Sequence, residues 1–150
     1  SVSSRYKTVT KAINREFRNI ESETAYSLYV GSYGRGTAIN TSDVDILVEL
    51  PKEEYERYDY AKGNGQSRLL QAVKKAVLAV YPRSDMRADG QIVKINFSDG
   101  MKFEILPAFE KWDGTYVLSC EHQLNHRSRI YYEMYCNVIK AMPDHHWSHH

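Results

Sequence analysis

The stretch "YVGSYGRGTAINTSDVDILVEL", Tyr29 to Leu50, constrains the fold of this chain more than any other. It ends with Val44, Ile46, Val48 and Leu50 alternating up to Pro51, which is the period of a β-strand. Side chains alternate across a strand, so Asp43 and Asp45 project from one face while Val44 and Ile46 enter the opposite layer. The apolar face must be backed by a core. The other face carries two anions side by side and has to meet something that neutralises them.

The rest of the chain supplies the backing. Val2, Tyr6, Val9, Ile13, Phe17 and Ile20 recur at spacings of three and four, predicting an amphipathic helix. "TAYSLYV" reads as a strand just ahead of the glycine-rich loop. "KEEYERYDYAKGNGQS" is polar, carries Gly63 and Gly65, lacks sustained period and reads as an exposed, mobile connection. Leu69, Leu70, Val73, Ala76, Val77 and Val80 outline a second helix that stops before Pro82, with Gln66 and Ser67 as its cap. "QIVKINF" and "MKFEIL" flank "SDG" and predict an antiparallel hairpin, bringing the sheet to about four strands. "PAFEKWDGTY" reads as irregular. A third helix then presents Leu124, Tyr131, Met134, Val138 and Met142, and the tail "PDHHWSHH" has no period and reads as disordered. The expected architecture is α/β (α+β): a mixed, mostly antiparallel sheet, helices on one face, and the site along its open edge.

Two neighbouring carboxylates with room for water suit Mg²⁺ or Mn²⁺, hard cations that bind through one or two carboxylates together with substrate phosphates. The loop ahead of them suits those phosphates. Gly31, Gly34 and Gly36 let the backbone approach closely, and Ser32, Thr37 and exposed N–H groups can donate hydrogen bonds. A two-metal site needs a further acid, and "MKFEIL" offers Glu104. Met101, Phe103 and Ile105 share one face of that strand, leaving Lys102, Glu104 and Leu106 on the other. From pattern alone Glu104 is as readily an exposed edge residue paired with Lys102 or Lys94 as it is a ligand. Tyr116, following that strand, is a candidate neighbour of a nucleotide base.

Composition excludes several alternatives. In 150 residues, 42% of them hydrophobic, there is material for one core and therefore one domain. Lys and Arg total 20 against 19 acids, so no general positive field advertises a nucleic-acid-binding surface. No apolar run approaches the roughly 20 residues that span a bilayer. Cys120 and Cys136 fall in the third expected helix, roughly 24 Å apart at 1.5 Å per residue, too far for a disulfide. A cytoplasmic location with no membrane association is the expectation.

"GSYGRGTAINTSDVDILVEL" resembles the signature of the DNA polymerase β-type nucleotidyltransferases: Gly-Ser, a glycine-rich turn, then Asp-x-Asp on a strand. Together with "LLQAVKKAVLAVY" and "RADGQIVKINFSDGMKFEILPAF", the chain is similar, from about residue 5 to Tyr116, to the bacterial cGAS/DncV-like nucleotidyltransferases, which make cyclic oligonucleotide signals in anti-phage defence. The resemblance implies NTP substrates, two Mg²⁺ or Mn²⁺ ions on Asp43, Asp45 and Glu104, phosphate binding by Gly31 and Ser32, pyrophosphate release, a cyclic di- or trinucleotide product and a regulatory protein partner. The wider superfamily more often shows aspartate where Glu104 stands. The further helical domain of such relatives is expected to be absent or truncated after Tyr116. Two other expectations stand beside this one: a minimal nucleotidyltransferase that modifies a protein or an RNA end, and a nucleotide-binding module without turnover.

Overall fold

The structure, a computed structural model, describes residues 1–30, 43–59, 65–90, 92–110 and 116–118. Helix α1 runs Val2–Arg18, β1 Ser27–Val30, β2 Asp43–Glu49, α2 Lys52–Asp59, α3 Gly65–Leu78, β3 Asp85–Asp89, β4 Ile92–Asn96, β5 Lys102–Glu110 and β6 Tyr116–Leu118. The strands form one sheet in the order β1-β2-β5-β4-β3, with β6 pairing the C-terminal end of β5. Among the described residues only the β2–β5 pair is parallel, as a mixed, mostly antiparallel sheet requires. The expected third helix and both cysteines lie outside the described residues.

One face of the sheet carries the core. Val44, Ile46, Val48, Val93, Ile95, Phe103 and Ile105 pack there against Tyr6, Val9 and Ile13 of α1 and Leu69, Leu70, Val73 and Val77 of α3. The alternation along β2 and β5 thus places their apolar side chains as expected, and burial of each such side chain stabilises the fold by roughly 1.5–3 kcal/mol. Helix α1 begins with the Ser1 hydroxyl accepting from the Ser4 N–H and ends at Asn19 in the left-handed conformation, φ 55°.

Four local expectations are corrected. Lys52–Asp59 is a helix rather than an open connection. Glu53 and Glu54 favour the positive end of its dipole, the Glu54 N–H donates to the Pro51 carbonyl, and Arg57 lies 3.7 Å from Glu54. Its charge-rich sequence shows no apolar period, and among its described side chains Tyr58 packs against the core. Helix α3 starts at Gly65, so Gln66 and Ser67 lie inside its first turn instead of capping it. Among the described residues the sheet has six strands, where about four were expected. Asp85–Asp89, "DMRAD", was silent as a strand because Asp85, Arg87 and Asp89 face outward and Met86 alone is deeply buried. Strand β5 runs on through Pro107, which sits where its neighbour changes: β4 pairs through Ile105 and β6 from Ala108, so the missing N–H falls between two ladders.

Candidate active site

The acids lie on the face opposite the helices. Asp43 and Asp45 are two residues apart on β2, about 6.6 Å at 3.3 Å per residue. The parallel register with β5 pairs Asp45 with Glu104 and Asp43 with Lys102. Neighbouring strands are about 4.8 Å apart, so Glu104 stands directly beside Asp45 on a shared face. The expected placement along an open edge is corrected: β2 and β5 are central strands, flanked by β1 on one side and β4 and β3 on the other.

Glu104 also keeps part of its simpler reading. Its Oε1 lies 3.7 Å from the Lys94 ammonium, with the two side chains 24% and 28% exposed, and Lys94 is its register partner across β4–β5. It is therefore an ion-paired residue on an inner strand. Among the described residues no three His, Cys, Asp or Glu side chains are gathered into a ready-made metal cluster. The donor set is still that of a hard divalent cation: carboxylate oxygens alone, on one face, in neighbouring register positions. These residues fit Mg²⁺ or Mn²⁺ provided the Glu104 carboxylate exchanges Lys94 for the metal.

A polar seam that sequence reasoning missed ties α1 to the strand leading into the glycine-rich segment. The Tyr6 hydroxyl donates to the Ser27 carbonyl at 2.9 Å, and the Thr10 hydroxyl donates to the Ser27 hydroxyl at 2.9 Å. Asn14 Nδ2 donates to the carbonyls of Ser22 at 3.0 Å and Ala25 at 2.8 Å. Burial raises the Tyr6 pKa, offset in part by its hydrogen bonds with Ser27 and Thr10. The Tyr6 ring stacks on Tyr29 at 4.2 Å between centroids. The available signal was the presence of Thr10 and Asn14 on the buried side of an otherwise apolar stripe. Farther along, Arg18 pairs with Glu49 at 3.0 Å and lies 3.5 Å over the Tyr26 ring, closing the far end of β2.

Gly31, Ser32 and Thr37 lie outside the described residues. Tyr116 pairs through its backbone with Glu110, six residues along β5 from Glu104, or about 20 Å at 3.3 Å per residue. The structure therefore sets Asp43, Asp45 and Glu104 on one face, with Asp45 and Glu104 in register, and places the Tyr116 backbone at the opposite end of the strand.

A mixed sheet with its helices packed on one face is the fold of polymerase β-like nucleotidyltransferases, and solved structures share it. The chain is similar to the CD-NTase CdnG of Bradyrhizobium diazoefficiens in complex with GTP, at 22% identity over 75% of this chain and 34% of that one, TM-score 0.52. It is also similar to the CdnE cyclic dinucleotide synthase of Elizabethkingia meningoseptica with GTP and Apcpp, at 16% identity over 80% and 48%, TM-score 0.51. A third likeness, to CdnC of E. coli MS115-1 with ATP, has 14% identity over 96% and 46%, TM-score 0.51. The chain spans between about a third and a half of the length of these structures. No curated protein matches it. Residues 1–126 match the Second Messenger Oligonucleotide or Dinucleotide Synthetase domain, SMODS, and the chain belongs to that family. No helix among the described residues is long and apolar enough to cross a membrane.

Proposed function

We propose that this chain is the catalytic core of a metal-dependent nucleotidyltransferase that joins NTPs into a cyclic di- or trinucleotide signal of anti-phage defence, releasing pyrophosphate. The observation that carries this reading is the register pairing of Asp45 with Glu104 on the face that Asp43 shares, within the residues matched by the family. The reaction is in-line attack of an acceptor hydroxyl on the α-phosphorus of an NTP. Two divalent cations, when bound, neutralise the triphosphate and stabilise the attacking and leaving oxygens. Asp43 and Asp45 would hold the ions, and Glu104, on the strand next to β4, would serve the acceptor side. Gly31, Ser32 and Thr37 hold the donor triphosphate through backbone N–H groups and hydroxyls. The seam of Tyr6, Thr10 and Asn14 orders the approach to that segment. E. coli CdnC has been solved in a complex with HORMA-deltaN, and a regulatory protein partner belongs to the proposal.

Incubation with labelled NTPs and Mg²⁺ or Mn²⁺ tests this, comparing the wild type with the Asp43→Ala/Asp45→Ala variant. Mn²⁺ binding followed by electron paramagnetic resonance gives a readout independent of turnover. The expectation is a soluble cyclic product from the wild type, and neither turnover nor tight Mn²⁺ binding in the variant. Turnover that survives the double substitution refutes the metal assignment.

A further inference from the structure

Lys94 stands between two sets of acids. Its register partners are Glu104 on β5 and Arg87 on β3, and Asp85 and Asp89 of β3 lie on the diagonals, two residues to either side of Arg87. Diagonal neighbours are about 7–8 Å apart, within reach of a lysine side chain. In the structure the ammonium is drawn to Glu104 at 3.7 Å, a contact longer than a hydrogen bond. The two acids of β3 are not equivalent. Asp85 is engaged twice: Asn96 Nδ2 donates to its Oδ2 at 3.1 Å, and Arg87 Nε lies 3.6 Å from its Oδ1. Arg87 is thereby held towards the Asp85 end of β3, and the Asp89 end is left to Lys94. The Asp89 carboxylate makes no hydrogen bond or ion pair with any described residue. Asp89 and Lys94 border one open hollow of about 550 Å³, so the lysine has free space on that side.

A divalent cation on Glu104 must displace that ammonium. Displaced without a second partner, Lys94 would face Arg87 directly opposite and Lys102 on the diagonal, a like-charge arrangement that destabilises a sheet. We infer that Lys94 is a two-position counter-ion: it pairs with Glu104 until a divalent cation takes that carboxylate, then swings from the β5 side of β4 to Asp89 on the β3 side. Lys94 and Asp89 are thus positioning residues that act on the metal through Glu104. The swing replaces one partly exposed ion pair by another of similar strength, so Asp89 offsets most of what the metal loses in displacing the lysine. The metal step rests on the proposed function; the two positions of the lysine do not.

The test is a cycle of variants at about 0.15 M salt, where exposed charges more than roughly 8 Å apart are largely screened. Mn²⁺ binding is followed by electron paramagnetic resonance for the wild type, Lys94→Gln, Asp89→Asn and Lys94→Gln/Asp89→Asn, each shown to be folded by thermal melting. Lys94→Gln should bind Mn²⁺ up to about fivefold more tightly and Asp89→Asn up to about fivefold more weakly, the range of a partly exposed ion pair. Once Lys94→Gln is in place, adding Asp89→Asn should have no further effect. An equal weakening in both backgrounds shows Asp89 acting on the metal by charge at a distance and overturns the proposal, as does a folded Asp89→Asn variant that binds Mn²⁺ like the wild type. A second arm, in EDTA, follows the Lys94 ammonium by ¹⁵N NMR. Its signal should move in Glu104→Gln as the lysine turns to Asp89, and should move again, to that of a solvated lysine, in Glu104→Gln/Asp89→Asn. A Lys94 signal indifferent to Asp89→Asn in the Glu104→Gln background overturns the second position. Wild-type protein that binds no Mn²⁺, while the lysine signal responds as expected, refutes the metal reading and leaves the two-position lysine standing.

Discussion

Replacing Asn14 tests whether the polar seam orders the approach to the site. Asn14 is 2% exposed, and its Nδ2 is the shared donor to the carbonyls of Ser22 and Ala25, which lie in the connection between α1 and β1. Each hydrogen bond contributes about 1 kcal/mol net, and both acceptors are only partly buried and can recover water. Asn14→Ala should therefore cost about 2 kcal/mol, with up to about 1 kcal/mol more for lost packing. Asn14→Asp is nearly the same shape but turns a donor into an acceptor facing two carbonyl oxygens. It should cost more than alanine at pH 8 and less at pH 5. Burial raises the pKa of such a carboxyl, the folded state then binds the extra proton, and stability falls as pH rises. Urea unfolding, read as a change of midpoint at constant slope, measures both variants, and amide exchange at residues 22–27 locates the loosening. Values for both variants within 0.5 kcal/mol of wild type (about the scatter of neutral surface changes) would refute the reasoning.

Arg18→Ala removes the cation beside the buried Glu49 carboxylate and the contact over Tyr26, and should destabilise the protein by about 3 kcal/mol in the same unfolding assay. Lys94→Gln removes the competitor for Glu104, a partly exposed pair of about 0.2–1 kcal/mol, so Mn²⁺ should bind up to about fivefold more tightly in a paramagnetic titration. Asp99 has its pKa lowered chiefly by the hydrogen bond from Arg5, then by the Met101 N–H. Its contribution to stability is thus complete above the ordinary carboxylate value and is lost as pH falls through the folded-state value. Arg5→Gln should move the Asp99 titration upward, as carboxyl NMR would show.

What was legible in the sequence is local, and what was hidden depends on partners far along the chain. The period of two in "DVDILVEL" sorts Asp43 and Asp45 from Val44 and Ile46 without any tertiary knowledge, and the same parity on "MKFEIL" sorts Glu104 from Phe103 and Ile105. The turn at "SDG" is equally local: Gly100, at φ 93°, takes a conformation that suits glycine, and its N–H donates to the Phe97 carbonyl at 3.0 Å. Parity chooses a face but not a neighbour. Glu104 comes beside Asp45 only through the parallel pairing of β2 with β5, and a slip of two residues would keep every face while setting Asp45 beside Lys102 or Leu106. The cross-strand pairing of Arg87 with Lys94 was harder still to see, because Arg87 lies on a strand with little apolar pattern and meets Lys94 only through the antiparallel pairing of β3 with β4. Asp43, Asp45 and Glu104 thus share one face with Arg87, Lys94 and Lys102, and the register of three strand pairs determines which charge meets which.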